Sequence, residues 1–363
     1  MSNPKKAREH WGTRVGFILA AAGSAVGLGN IWRFPYMTGE HGGAAFIIIY
    51  LLAVVLLGYP LIINETVLGR FSQKSPVGAF KALAPKSPWW LVGALGVFTG
   101  FVILSYYAVV AGWALAYTYK VIIATITPGI DHASVFKNHI TSIWEPMIWQ
   151  FLVMVLTVGI IAGGVVKGIQ KWSTILMPIL FLIMIILIVR SVTLPGASEG
   201  VIYYLKPDFS EVSGRTLLAA LSQAFFSLSL GMGVFITYGS YLRGKDEIPV
   251  STAYIAGLDI IFALLAGFAI FPAVFALGFE PGAGPGLVFI TLPAVFGQMP
   301  LGTFFGFLFF VLVTIAALTS TISLLEVVSA WLIDEKGWER KKAAILMGLV
   351  IFVVGIPASL GYS

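Results

Sequence analysis

There is no cysteine among the 363 residues, which excludes disulfides and thiolate metal sites. Charge is scarce too: 10% of residues are Asp, Glu, Lys or Arg, against about 25% in an ordinary globular chain. The four histidines (His10, His41, His132, His139) show no metal-ligand spacing. No nucleophile–base pair, metal triad or nucleotide loop falls at the end of an apolar segment, so the chain does not read as an enzyme. No charged ring suggests a channel filter. No short apolar stretch ends in a small-residue cleavage site, so the first segment reads as a span rather than a signal peptide. What fills the chain instead is hydrophobic residues, 58% of the total.

Those residues gather into nine long apolar segments: Trp11–Met37, Ala44–Phe71, Trp89–Ile126, Met147–Gly163, Trp172–Val189, Thr216–Tyr241, Val250–Leu277, Leu301–Ile333 and Ala343–Pro357. Most reach the roughly 20 residues needed to cross a bilayer. The expectation is an all-α, multi-pass membrane protein, one transmembrane domain over 1–363, with lipid as its solvent. The net charge of +6 is a topology signal. With the N-terminus inside, Lys5, Lys6, Arg8, Arg14, Arg70, Lys74, Lys81, Lys86, Lys167, Lys171, Arg243, Lys245, Lys336, Arg340, Lys341 and Lys342 fall on the cytoplasmic side. Lys120, Lys137, Arg190, Lys206 and Arg215 fall outside. That asymmetry follows the positive-inside rule and leaves no basic surface to assign to nucleic acid. Of the outer loops, 278–300 is apolar in its second half and is expected to dip toward the membrane as a lid.

Two segments carry glycines where a span should be continuous. In the first, Gly23, Gly27 and Gly29 precede Asn30 and Arg33; in the sixth, Ser227, Ser229, Gly231 and Gly233 cluster. Gly weakens a helix interior by roughly 1 kcal/mol against Ala. Unpaired backbone survives at membrane depth only when packed in protein or lining a cavity. A restarted helix offers N–H groups to an anion, and a stopped one offers carbonyls to a cation. An α-amino acid has both charges. A lone glycine cluster would equally suit close helix packing; two clusters, each beside polar residues and five spans apart, favour a site at corresponding positions of an inverted five-helix repeat.

Other polar residues leave two readings each. Ala316, Thr319 and Ser320 share a helix face and could ligate a cation, or the hydroxyls could bond back to their own helix. Asp259 needs a cation, a proton or a donor network. Glu65 suits capping of free N–H groups at a helix break better than transport chemistry. Glu326 is a further acid at membrane depth. Arg33 could pair with an acid outside the site or line an entry path. The Gly168-to-Pro178 spacing could let the fifth span unwind or could mark a simple kink.

At these residues the chain resembles the neurotransmitter:sodium symporter family, in its bacterial amino-acid branch. The strings GSAVGLGNIWRFPY, GGAAF, INETVLGR, SYYAVVAGWAL, KGIQKWSTILMP, SQAFFSLSLGMG, ITYGSYL, GPGLVFITLP and ALTSTIS occur in family order. The resemblance implies Na⁺-coupled symport by alternating access, in a multi-pass protein of a bacterial inner membrane. It implies two sodium sites, one from Gly23, Val26, Ala316, Thr319 and Ser320, the other from Ala25, Asn30, Ser227 and Asp259 with the substrate carboxylate. Substrate would meet Ala25, Gly29, Ile103, Tyr107, Phe226, Ser227, Ser229, Met232, Thr321 and Leu324. Arg8 with Asp334 would close the inner side and Arg33 the outer. Gly27 stands where monoamine carriers have Asp, which implies a substrate with its own carboxylate. Asp259 stands where many members have Asn, and Ala263 where chloride-dependent members have Ser; the fixed charge of Asp259 beside the sodium site implies no need for chloride. The apolar lining with Met232 implies a hydrophobic or aromatic amino acid. Family members have eleven or twelve spans; nine are expected here, with an incomplete second repeat and without the tenth-helix acid that would face Arg33. A proton-coupled carrier with Asp259 as proton site, and a non-transporting amino-acid sensor, are the competing readings.

Overall fold

The computed structural model describes residues 8–123, 129–244, 246–279, 284 and 286–361. Lys5, Lys6 and Lys245, three of the expected inner charges, lie outside the described residues, as do parts of the 127–146 and 278–300 loops. In chain order the helices are α1 (Arg14–Ala25), α2 (Gly29–Glu40), α3 (Ala44–Ser72), α4 (Pro76–Leu83), α5 (Trp90–Ile122), α6 (His132–Thr141), α7 (Glu145–Ala162) and α8 (Val165–Val192). There follow α9 (Ala197–Leu205), α10 (Gly214–Ser227), α11 (Val234–Gly239), α12 (Ile248–Ala276), α13 (Leu287–Gln298), α14 (Gly302–Lys336) and α15 (Arg340–Leu360). Among the described residues there is no strand, only an isolated bridge between Gly43 and Pro207.

Seven helices (α3, α5, α7, α8, α12, α14, α15) are long and apolar enough to cross a bilayer, and α1 with α2 forms an eighth candidate bent by 49°. The protein is therefore multi-pass. The sixth of the nine expected segments, read from the sequence as interrupted, consists of α10 and α11, of 14 and 6 residues, neither long enough to cross by itself. The interruption has a local cause. Ser229, Gly231 and Gly233 take positive φ (53°, 78° and 77°), which ends the right-handed helix between them.

The bundle is organised around α14, whose apolar window is 72% buried, against 33–39% for α3, α7, α8 and α15. Those outer helices turn Val55, Leu56, Phe151, Leu182 and Val353 outward, the pattern of a lipid-facing surface. Small residues bring the backbones together: a Cβ on Gly112 would lie 2.7 Å from the Gln150 amide nitrogen, and one on Gly355 2.4 Å from the Ser105 carbonyl.

One end of the bundle collects the basic segments. Arg14 pairs with Glu247 (3.3 Å), Lys81 with Glu335, and Arg340 with Glu9 (2.9 Å). The opposite end is capped by α6 and α13. There Phe136 stacks on Phe289 (centroids 5.2 Å apart), and Phe289 meets Tyr117 and Phe310. So the apolar half of the 278–300 loop is a short helix packed inward. Fully buried His139 of α6 lies 3.1 Å from Glu145, which Lys120 also pairs at 2.9 Å. Burial pushes the His139 imidazole below its ordinary pKa, and the Glu145 carboxylate opposes that shift.

Candidate functional site

The break between α1 and α2 frees backbone by redirecting its N–H groups. Gly27 N donates to Asn30 Oδ1 (3.0 Å), and Leu28 N to Tyr107 Oη (3.3 Å), instead of to carbonyls one turn back. The Ser24 carbonyl, deprived of its helical donor, accepts from Ser229 Oγ (3.0 Å) and Ser320 Oγ (3.3 Å). A larger residue at two points of this turn would push on the cavity wall. A Cβ on Gly27 would lie 2.6 Å from Ser320 Oγ, and one on Gly29 2.9 Å from the Phe226 ring. The second break lies opposite. Its Gly231 N–H is taken by Glu65 Oε1 (2.8 Å) from α3, the capping role that the sequence suggests for this acid.

Between the breaks, α5 and α14 is a cavity of about 370 Å³, counting the space at its mouth. Ala25, Gly29, Ile103, Tyr107, Phe226, Ser229, Met232 and Leu324 line it, all of them expected from the sequence. Ser24, Gly27, Ser320 and Ser323 line it as well. Ser24 Oγ donates to Ser323 Oγ (2.6 Å), so hydroxyls from α1 and α14 meet at its wall.

One residue expected to touch a substrate, Thr321, faces elsewhere. Thr321 is fully buried against α7, its hydroxyl 2.8 Å from Thr157 Oγ1 and donating to the Leu318 carbonyl. The cause is helical rotation: Ser320, Ser323 and Leu324 share one face, and Thr321 is turned roughly 100° from Ser320. Ser227, expected to offer a substrate its carbonyl, turns its hydroxyl to Asp259.

That contact belongs to a buried cluster. Asp259 accepts from Asn30 Nδ2 (2.8 Å), Ser227 Oγ (2.9 and 3.0 Å) and Tyr50 Oη (3.1 Å) and is fully buried. No Lys or Arg among the described residues forms an ion pair with it. A carboxylate held only by neutral donors leaves net negative charge in the bundle, the electrostatic requirement of a small-cation site. Tyr50 had no signal in the sequence: it is one more aromatic in an apolar run, 209 residues from its partner.

Of the second expected oxygen set, Gly23 on α1 and Thr319 on α14 are neighbours. A Cβ on Gly23 would lie 3.3 Å from Thr319 Cβ, so α1 touches α14 at this level. Thr319 Oγ1 donates to the Ala316 carbonyl (3.0 Å), and Ser320 Oγ lies 3.4 Å from it; both hydroxyls thus bond back to their own helix. Val26 is fully buried at the end of the break.

The residues expected to gate lie toward the two ends of the bundle. On the inner side Arg8 Nη1 meets Asp334 at 2.5 Å, and Arg8 also donates to Ser240 and covers the Tyr241 ring at 4.9 Å. Beside it the buried Glu326 accepts from Arg340 (2.7 Å) and Tyr241 (2.5 Å). Arg340 is missed by a sequence reading that counts it only as a topology charge. On the outer side Arg33 donates to Gln223 Oε1 (2.8 Å) and Ser222 Oγ (2.9 Å), and its guanidinium lies 5.4 Å from the Phe226 ring. Among the described residues Arg33 forms no ion pair, and α10 supplies neutral acceptors.

A central cavity at two helix breaks inside a multi-pass bundle is the arrangement of a membrane transporter. The chain belongs to the sodium:neurotransmitter symporter family, whose family model matches residues 8–130 and 136–360. It is 46% identical over 355 residues to an uncharacterized sodium-dependent transporter, YhdH, of Bacillus subtilis (strain 168), across 97% of this chain and 78% of that protein. It is 28% identical over 414 residues to the sodium-dependent serotonin transporter of Drosophila melanogaster, across 98% of this chain and 65% of that one. The crystal structure of MhsT in complex with L-phenylalanine superimposes with a TM-score of 0.92 at 48% identity, covering 98% of this chain and 82% of that one. The family and these neighbours are transporters and not enzymes.

Proposed function

We propose that the protein is a sodium-coupled symporter of hydrophobic or aromatic amino acids, working by alternating access and without a need for chloride. The observation that carries this reading is the buried Asp259, held by Asn30, Ser227 and Tyr50, directly behind a cavity bounded by freed backbone. A zwitterion suits that arrangement. Its carboxylate would meet the amide of Gly29 and the hydroxyl of Tyr107, and its amine the carbonyls of Ala25, Phe226 and Ser227. One Na⁺ would bridge the substrate carboxylate, Ala25, Asn30, Ser227 and Asp259, so ion and substrate bind each other reciprocally. A second would use Gly23, Val26, Ala316, Thr319 and Ser320, whose hydroxyls would turn from helix carbonyls to the ion. All donors are hard oxygens, the right chemistry for an alkali cation. The apolar wall of Ile103, Phe226, Met232 and Leu324 would take the side chain. MhsT, bound to L-phenylalanine and 48% identical, supports the substrate class.

The test is uptake of a labelled aromatic amino acid into proteoliposomes. Uptake is expected to vanish when choline replaces Na⁺ at fixed pH and to persist when gluconate replaces chloride. Leu, Phe, Tyr and Trp should compete better than Gly, Asp or Lys. Uptake driven by a pH gradient in choline would support the proton-coupled alternative instead.

A further inference from the structure

A second cleft lies away from this path, at the outer end of α8, between α8, α12, α13 and α14. It encloses about 320 Å³, counting the space at its mouth. Its walls are apolar (Leu187, Ile270 and Phe296 among them), but its floor carries two adjacent polar residues, Arg190 and Ser191. Ser191 is 2% exposed, and its hydroxyl has no hydrogen-bond partner; the buried Nε of Arg190 has none either. Arg190 forms no ion pair among the described residues, and its guanidinium lies 5.6 Å from the Phe305 ring. Buried polar groups are normally satisfied, so two neighbouring donors aimed into one cleft call for an acceptor. With a guanidinium among them, that acceptor is an anion. A charge placed only to complement the α8 C-terminus would need neither the cleft nor the second donor.

We propose that this cleft binds an anionic phospholipid, its headgroup phosphate on Arg190 and Ser191 and one acyl chain along the apolar walls. The surroundings favour a lipid over a soluble anion. Val189, Val192 and Phe304, next in sequence to lining residues Arg190, Ser191 and Phe305, are 57%, 41% and 53% exposed, so apolar surface of the bundle adjoins the cleft. Phe296 belongs to α13, so the bound lipid would pin the outer cap to α8 and α12.

The experiment is native mass spectrometry of the full chain in detergent with dioleoylphosphatidylglycerol or dioleoylphosphatidylcholine at equal mole ratio. Wild type is expected to retain phosphatidylglycerol about fivefold more than phosphatidylcholine, and Arg190→Gln to lose most of that preference. Ala269→Leu, which narrows the cleft and keeps the charge, should lower retention of both lipids, and Arg215→Gln should change nothing. Ser191→Ala removes only an unpartnered hydroxyl, so it gives the reading if a larger change unfolds the protein; it should weaken retention about two- to threefold. Unchanged preference in both Arg190→Gln and Ser191→Ala overturns the proposal. So does displacement of phosphatidylglycerol by millimolar inorganic phosphate with no effect of Ala269→Leu, which would mark a free-anion site.

Discussion

Replacing Asp259 with Asn tests the cation reading most directly. The side chains are isosteric, and the network can absorb the change. The new carbonyl oxygen can still accept from Asn30 Nδ2 and Ser227 Oγ, while the new amide can donate to the Tyr50 hydroxyl that now donates to Oδ2. Folding should therefore survive, and what is lost is one buried negative charge. A unit charge about 4 Å from another is worth roughly 4 kcal/mol at an effective dielectric of 20. The retained carbonyl dipole recovers part of this, leaving about 2–4 kcal/mol, or roughly 30- to 1,000-fold in sodium affinity. Sodium-dependent binding of a labelled amino acid, titrated against Na⁺ with choline holding ionic strength, reads this as a shift in half-saturation. Adding Ala263→Ser, one helical turn away, should restore part of the affinity only when chloride is present. A half-saturation within about threefold of wild type, with substrate binding intact, would refute the assignment of Asp259 to the cation.

Gly29→Ala should lower substrate affinity about tenfold or more in the same assay, because its Cβ would lie 2.9 Å from the Phe226 ring of the cavity wall. Thr321→Val should leave substrate affinity unchanged in a competition assay and cost about 0.5–1.5 kcal/mol of stability through the lost contact with Thr157. Acidification should loosen the outer cap. The His139 pKa is lowered by burial, so the folded state holds fewer protons than the unfolded one, and stability falls as pH drops through the ordinary imidazole value near 6.5. The melting temperature of the purified protein should decline less between pH 7.5 and 5.5 in His139→Gln than in wild type.

The parts of this structure that were legible in the sequence are those with local causes. Glycines in the first and sixth apolar segments mark where the helix ladders stop, and Glu65 is placed by its need for free N–H groups. Asp259 stands out because a carboxylate among apolar neighbours is costly. What could not be read depends on contacts across the chain. Tyr50 reaches Asp259, and Arg340 reaches Glu9 across 331 residues; neither carries a signal in its own surroundings. Thr321 and Ser323 are a different case. The face holding Ser320 continues through positions three and four residues on, to Ser323 and Leu324, and helical period alone would have chosen Ser323 over Thr321.

The helix α14 joins several of these sites along one axis. It runs 35 residues without an internal proline, from Gly302 to Lys336, carrying Ser320 beside the first helix break and Asp334 at the inner barrier. The 14 residues between those two positions span about 21 Å at 1.5 Å per residue. A stiff rod of that length is a lever. A relative tilt of only about 5° pivoting at Ser320 would carry Asp334 about 1.8 Å, enough to part it from Arg8. Sub-ångström adjustments around a bound ion could thus be magnified at the far end, with no need for α14 itself to bend.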